Sequence, residues 1–151
     1  MTVTTFLWLE SGAEEAAALY TAAIPNSRIT SSTPGPDGRA FILGLDLDGH
    51  AVTLMNGGPG HPLSDSASLQ LSVDGQAEVD RLWAALTADG GTPGPCGWLT
   101  DRFGLSWQVV PAELPELMGS PDPARAGAVA TALRTMSKID VAALRAAHDQ
   151  G

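Results

Sequence analysis

The sequence predicts an α+β fold of two βαβββ modules followed by C-terminal helices. Three observations support this prediction. Residue patterns typical of a strand, a helix and then further strands occur twice along the chain. The first strand and helix of the two runs align at a constant offset of 63 residues, as Gly12 and Gly75 do. Helical patterns bounded by prolines follow the second run.

These patterns divide the chain without breaking it into separate domains. We expect a single domain, with module one over residues 1–58, module two over 66–111 and a helical tail over 120–149. The segment 56–65 has no periodicity and is interpreted as the linker between the modules.

In module one the patterns predict a strand at 3–9, a helix at 13–24 and strands at 27–33, 40–47 and 51–55. Ser11 and Glu14 have the spacing of a capping box, in which two side chains bind the free N–H groups of a helix start. The dipeptide Asp48-Gly49 predicts a tight hairpin between the last two strands.

In module two the patterns predict a strand at 67–73, a helix at 78–86 and strands at 98–100 and 105–110. The offset of 63 pairs Thr5 with Ser68 and Tyr20 with Trp83, which favours an internal duplication over chance. The tail predicts a loop through Pro115 and Pro121, then helices at 123–136 and 141–148. Their apolar stripe is expected to cover the chain's own sheet or a second subunit.

Composition and charge exclude several classes of protein. The chain has 151 residues, is 44% hydrophobic and carries a net charge of −9, so it is a folded globule that nucleic acid and anionic membranes would repel. The N-terminal residues lack the pattern of a signal peptide, so we expect none, and no apolar run approaches the roughly 20 residues needed to span a bilayer. The single cysteine, Cys96, forms no internal disulfide, which is typical of the reducing cytoplasm, where we expect the protein to reside.

Several segments resemble the vicinal oxygen chelate superfamily of glyoxalases, bleomycin-resistance proteins and extradiol dioxygenases. They are FLWLESGAEEAAALY at 6–20, MNGGP at 55–59, GPCGWLTDRFGLSWQVVP at 94–111 and the tail at 120–144, and they are similar to the PhnB-like branch. The resemblance implies that each module curls into a half-barrel and that the two form a cup. Members of this branch are often labelled demethylubiquinone methyltransferases, but no Gly-rich loop for a methyl-donor nucleotide follows a strand here.

Metal-dependent members of the superfamily place ligands on the first and last strands of each module. Carried over by register, these positions are Thr5, Thr53, Ser68 and Gln108. Hydroxyls and a neutral amide bind transition metals poorly, so we expect no metal and no cofactor. The three histidines, His50, His61 and His148, are interpreted as surface residues.

Strand alternation then predicts which side chains line the cup. The predicted ligand-binding set consists of Thr5, Leu7, Thr53, Met55, Ser68, Gln70, Trp98, Ser106 and Gln108. On the opposite faces, Phe6, Trp8, Trp107 and Val109 are expected to pack against the helices. An apolar cavity with a few polar groups is the usual form of a small-molecule site.

The resulting hypothesis is a metal-free protein that binds a small molecule in the cup. Two alternatives stay open, a metal-dependent enzyme of the glyoxalase or dioxygenase type and a dimeric interaction module. No catalytic residue is identified: Cys96 lacks an adjacent base, and Asp101-Arg102 is interpreted as a charge pair that stabilises a turn. Because the superfamily commonly pairs subunits, we expect a homodimer.

Overall fold

Each predicted module folds as a strand, a helix and three further strands, so the α+β architecture with two βαβββ modules is confirmed. The computed structural model describes residue 1 and residues 3–151, which divide into two compact units, 1–64 and 65–151. In the described residues, no helix is both long enough and apolar enough to cross a membrane.

Module one contains a four-stranded sheet in the order β1-β4-β3-β2, in which only β1 and β4 run parallel. Its elements are β1 (Thr5–Leu9), α1 (Ala13–Ala23), β2 (Arg28–Pro34), β3 (Ala40–Leu47) and β4 (His50–Asn56). The predicted Asp48-Gly49 hairpin is confirmed, since both residues adopt the positive φ angles that such a turn requires, 49° and 88°.

Module two repeats the arrangement with the strand order β5-β8-β7-β6 and a parallel β5–β8 pair. Its elements are β5 (Ser68–Val73), α2 (Gly75–Thr87), a 3₁₀ turn (Ala88–Gly90), β6 (Thr92–Pro93), β7 (Trp98–Thr100) and β8 (Ser106–Pro111). Trp107 and Val109 are fully buried with Val79 and Leu86 of α2, so the predicted helix-facing side of β8 is confirmed.

The capping box predicted at the start of α1 is wrong. The N-cap is Gly12, and the side chain that binds the helix start is Asn56, whose Oδ1 accepts a hydrogen bond from the Ala13 N–H at 2.9 Å. The Glu14 carboxylate turns away from the helix, where it accepts hydrogen bonds from the Ala40 N–H and the Asn56 amide. The backbone N–H of Ala40 is the main reason that the pKa of Glu14 lies below its usual range.

The tail packs within its own unit rather than presenting an uncovered stripe. Its helices are α3 (Leu114–Met118), in a segment predicted to be a loop, α4 (Pro123–Arg134) and α5 (Val141–Gln150). Val129, Ile139 and Leu144 are fully buried in one cluster, against which partly buried apolar side chains of α3 and α4 pack. The apolar stripe of α4 therefore no longer argues for a second subunit, and the homodimer stays a prediction that light scattering tests.

Candidate functional site

The open face of module two, the side of its sheet away from α2, brings five of the predicted site residues together. The parallel register of β5 and β8 pairs Ser68 with Ser106 and Gln70 with Gln108, and Trp98 on β7 pairs with Gln108. Paired residues point to the same side of a sheet, so all five side chains share the face opposite to Trp107 and Val109. The alternation predicted for this module is confirmed.

Hydrogen bonding links the two positions at the centre of this face. The Gln108 amide donates from Nε2 to the Ser68 hydroxyl over 2.8 Å, across neighbouring strands. That bond uses one of the two N–H groups of the amide, and its carbonyl oxygen is a further acceptor. Ser106 is almost fully buried at 2% exposure, whereas Gln108 and Trp98 are half-buried.

A groove of about 390 Å³ lies beside Trp98 at one end of this face. Its lining residues are Asp65, Gly94, Pro95, Trp98, Leu99, Thr100 and Ser106. The sequence prediction missed Thr100, which pairs with Ser106 and which strand alternation from Trp98 would have identified. It also missed Asp65 and Pro95, since no periodicity in a loop shows which residues approach a strand.

In module one the predicted face is wrong for β1. Leu7 pairs with Leu54, which is fully buried, and Thr5 pairs with Val52, at 1% exposure, so Thr5 and Leu7 lie on the side that α1 covers. The residues that share a face with Thr53 and Met55 are Phe6 and Trp8, which the sequence analysis assigned to the core. Phe6 is 54% exposed. Because every residue from Phe6 to Leu9 is apolar, alternation within the strand could not distinguish its two faces.

Trp8 covers the loop that follows β4. Its ring occupies the space above Gly57, where an added Cβ would clash with the indole, and its Nε1–H donates to the Gly58 carbonyl at 2.8 Å. The exposed His61 ring lies 4.5 Å from the Trp8 ring, between centroids. His61 is thus a surface residue, as predicted, that packs on an aromatic ring of the open face of module one.

The superfamily's metal-ligand positions do not fit a transition metal in this chain. Thr5 lies on the opposite face from Thr53, and its hydroxyl is hydrogen-bonded to His50 Nε2 at 3.0 Å. Ser68 and Gln108 are bonded to each other, and hydroxyls and amides are poor ligands for such ions. In residues 1 and 3–151, no three His, Cys, Asp or Glu side chains lie close enough together to hold an ion.

The remaining candidates for chemistry have structural roles. Asp101 is 3% exposed and accepts hydrogen bonds from the N–H groups of Phe103 and Leu105 and from the Trp107 indole. Arg102 pairs with Asp89 instead, so the predicted Asp101–Arg102 charge pair is wrong. Cys96 is half-buried in the loop before β7.

Among the residues that the structure describes, the groups with displaced pKa values all lie outside the open face of module two. They are Glu14, Glu78, Asp80, Arg81 and Arg145. For Asp80, the Lys138 ammonium is the main cause of a lowered pKa, and the Gln76 amide adds to it. The five side chains that share the open face of module two are uncharged hydroxyls and amides together with one indole ring, a composition suited to binding.

The fold and these residues can be compared with known proteins. The family model described as 3-demethylubiquinone-9 3-methyltransferase matches residues 1–110, which is most of the chain. The chain belongs to this family. It is the PhnB-like branch of the vicinal oxygen chelate superfamily, as the resemblance predicted. No sequence among curated proteins matches the chain.

Solved structures show the same fold. A PhnB protein from Bacillus cereus, described as a putative 3-demethylubiquinone-9 3-methyltransferase, is 26% identical with a TM-score of 0.66, covering 74% of this chain and 100% of its own. A protein from Pseudomonas aeruginosa is 22% identical with a TM-score of 0.60, covering 74% and 97%. The fosfomycin resistance protein FosX from Listeria monocytogenes is 15% identical with a TM-score of 0.55, covering 77% and 96%.

Proposed function

We propose that this PhnB-like protein binds a small organic molecule, without a metal, on the open face of module two. The observation that carries the proposal is the convergence of Ser68, Gln70, Ser106, Gln108 and Trp98 on one face beside a groove of about 390 Å³. A concave site with an aromatic wall and a few polar groups is typical of small-molecule binding. The contribution of module one to a shared cup remains a prediction from the resemblance.

The charges around the groove favour a neutral or cationic ligand. Asp65 is its only charged lining residue, and neither lysine nor arginine is among the lining residues. An anion would meet the Asp65 carboxylate without a compensating cation, in a chain whose net charge is already −9. Trp98 offers a flat surface on which an aromatic or cationic group can stack. The expected ligand is therefore a planar, hydrogen-bonding molecule such as a neutral or basic heterocycle.

A thermal-shift screen tests the proposal, because a ligand that binds the folded state raises the melting temperature, and raises it further at a given concentration when it binds more tightly. The library contains neutral, cationic and anionic heterocycles, together with fosfomycin as a phosphonate and zinc and nickel salts. We expect stabilisation by members of the first two groups and none by fosfomycin or the metals. A screen in which only anions or metals stabilise the protein would contradict the proposal.

Variants locate the binding site of any stabilising compound. Trp98→Ala and Gln108→Ala are each expected to weaken binding about tenfold or more, the factor for losing an aromatic contact or a hydrogen bond to a buried polar group. Trp83→Ala, on helix α2, and Gln150→Ala, near the C-terminus, are the matched controls. Equal binding by Trp98→Ala and Trp83→Ala would show that the ligand lies elsewhere.

A further inference from the structure

The loop at residues 94–97 forms one wall of the groove and adopts a conformation that needs support. Gly94 and Pro95 line the groove, and Trp98 follows directly. Cys96 and Gly97 both have positive φ angles, 56° and 85°. A left-handed conformation is unfavourable for a residue with a side chain such as Cys96, so contacts elsewhere must hold it in place.

Those contacts come from the connector between α4 and α5, residues 135–140. The Cys96 N–H donates to the Met136 carbonyl at 2.8 Å, and the Gly97 N–H donates to the Ser137 carbonyl at 2.7 Å. The Ser137 hydroxyl donates in return to the Gly94 carbonyl at 2.6 Å. Three hydrogen bonds thus attach one wall of the groove to the C-terminal tail.

Packing and a second set of bonds fix the connector itself. Ile139 is fully buried against Gly97, where an added Cβ would lie 2.8 Å from Ile139 Cδ1. On the other side, the Gln76 side chain of α2 donates to the Ile139 carbonyl and accepts from the Val141 N–H. Lys138 forms an ion pair with Asp80 of the same helix. The connector is therefore clamped between α2 and the loop at 94–97.

We propose that the connector positions the Trp98 wall of the groove, with Ser137 as the positioning residue, so that the tail sets which ligands the groove accepts. This inference rests on the proposed function, because positioning a wall of the groove matters only if the groove binds a ligand. Its test, however, needs no ligand. The tail lies beyond residues 1–110, which the family model matches. Ser137 acts through the backbone of residues 94–97 and does not touch the ligand.

The only cysteine of the chain, Cys96, makes the proposal measurable without a ligand. Labelling of its thiol with 5,5′-dithiobis(2-nitrobenzoic acid) is followed in wild type, Ser137→Ala and the control Thr131→Ala, whose hydroxyl binds only its own helix at Gly127. Ser137→Ala removes one hydrogen bond from the loop and is expected to raise the labelling rate about threefold. Thr131→Ala is expected to leave the rate unchanged.

Two further measurements separate positioning from general stability. The urea midpoint of Ser137→Ala should equal that of Thr131→Ala, because Ser137 and its hydrogen bond to the Gly94 carbonyl are exposed to solvent. The indole signal of Trp98 in a ¹⁵N–¹H spectrum should shift in Ser137→Ala and not in Thr131→Ala. Equal labelling rates in all three proteins would overturn the inference, as would faster labelling explained by a lower urea midpoint.

The outcomes also separate this inference from the proposed function. A ligand that binds at Trp98 in a protein whose Cys96 labelling is insensitive to Ser137→Ala would overturn only the role of the tail. Faster labelling of Ser137→Ala, combined with a screen that finds no ligand, would leave the tail holding the loop and overturn only the binding function.

Discussion

The two modules share one topology, yet the link between first strand and helix is one residue longer in module one. The carbonyls of Leu9 and Val73 mark equivalent strand ends, since they accept the N–H groups of Gly57 and Ala112 just after β4 and β8. The glycines with positive φ at the helix starts, Gly12 and Gly75, lie three and two residues further on. The helices therefore align at an offset of 63, while the strands align at 64.

This difference explains why the two open faces differ. A shift of one residue moves every side chain of a strand to the other face of the sheet. At the offset of 64 residues that aligns the strands, Phe6 of module one corresponds to Gln70 of module two. Phe6 pairs with Thr53 on β4, and Gln70 pairs with Gln108 on β8. Module one therefore exposes aromatic rings where module two presents amides and hydroxyls, and for this reason we propose the small-molecule site on module two.

Substitutions on β1 provide the largest test of this difference. Leu9 is 2% exposed and Phe6 is 54% exposed, so we expect Leu9→Ala to lower the free energy of unfolding by about 2 to 5 kcal/mol and Phe6→Ala by less than about 1.5. Urea unfolding of the two variants measures both values. A larger loss for Phe6→Ala would restore the face predicted from sequence alternation and refute the longer link.

The sequence was sufficient for the elements whose patterns are local. The hairpin at Asp48-Gly49 and the polar alternation of Ser68 and Gln70 follow from neighbouring residues. It was insufficient where a partner distant in sequence decides the outcome. Asn56 replaces Ser11 as the helix cap from 43 residues away, and the register with β4, rather than the apolar run of β1, determines which face Phe6 occupies.

The last hairpin of each module contains an aspartate, and the two aspartates differ in burial. Asp101 of module two is 3% exposed and accepts three N–H groups, whereas Asp46 of module one accepts one, from Gly49, and pairs with the exposed Arg28. Asp101→Ala removes the acceptor of two buried N–H groups and of the part-buried Phe103 N–H, so we expect it to cost about 3 kcal/mol of unfolding free energy, against about 1 for Asp46→Ala. Equal losses in urea unfolding would contradict the difference in burial.

We expect the stability of the protein to decrease in acid because of Glu14 in module one. The equivalent residue in module two is Ala77, which does not titrate. Its folded pKa lies below the ordinary value of 4.5, mainly because of the Ala40 N–H. Glu14 therefore contributes stability above about pH 4.5, and this contribution is lost as the pH falls through the folded pKa. The melting temperature of wild type should exceed that of Glu14→Gln at pH 7 and approach it in acid. A difference that is independent of pH, or as large for the exposed control Glu116→Gln, would contradict this role.

The four tryptophans report on four environments, which allows one measurement to test where the ligand binds. Trp98 lies on the open face of module two, Trp8 on that of module one, Trp83 on α2 and Trp107 in the core. A ¹⁵N–¹H spectrum is recorded while the compound that most raises the melting temperature is added. We predict that the Trp98 indole signal shifts with the Gln108 amide, while those of Trp83 and Trp107 stay in place. A titration that shifts Trp8 or Trp83 and leaves Trp98 unchanged would contradict binding on module two.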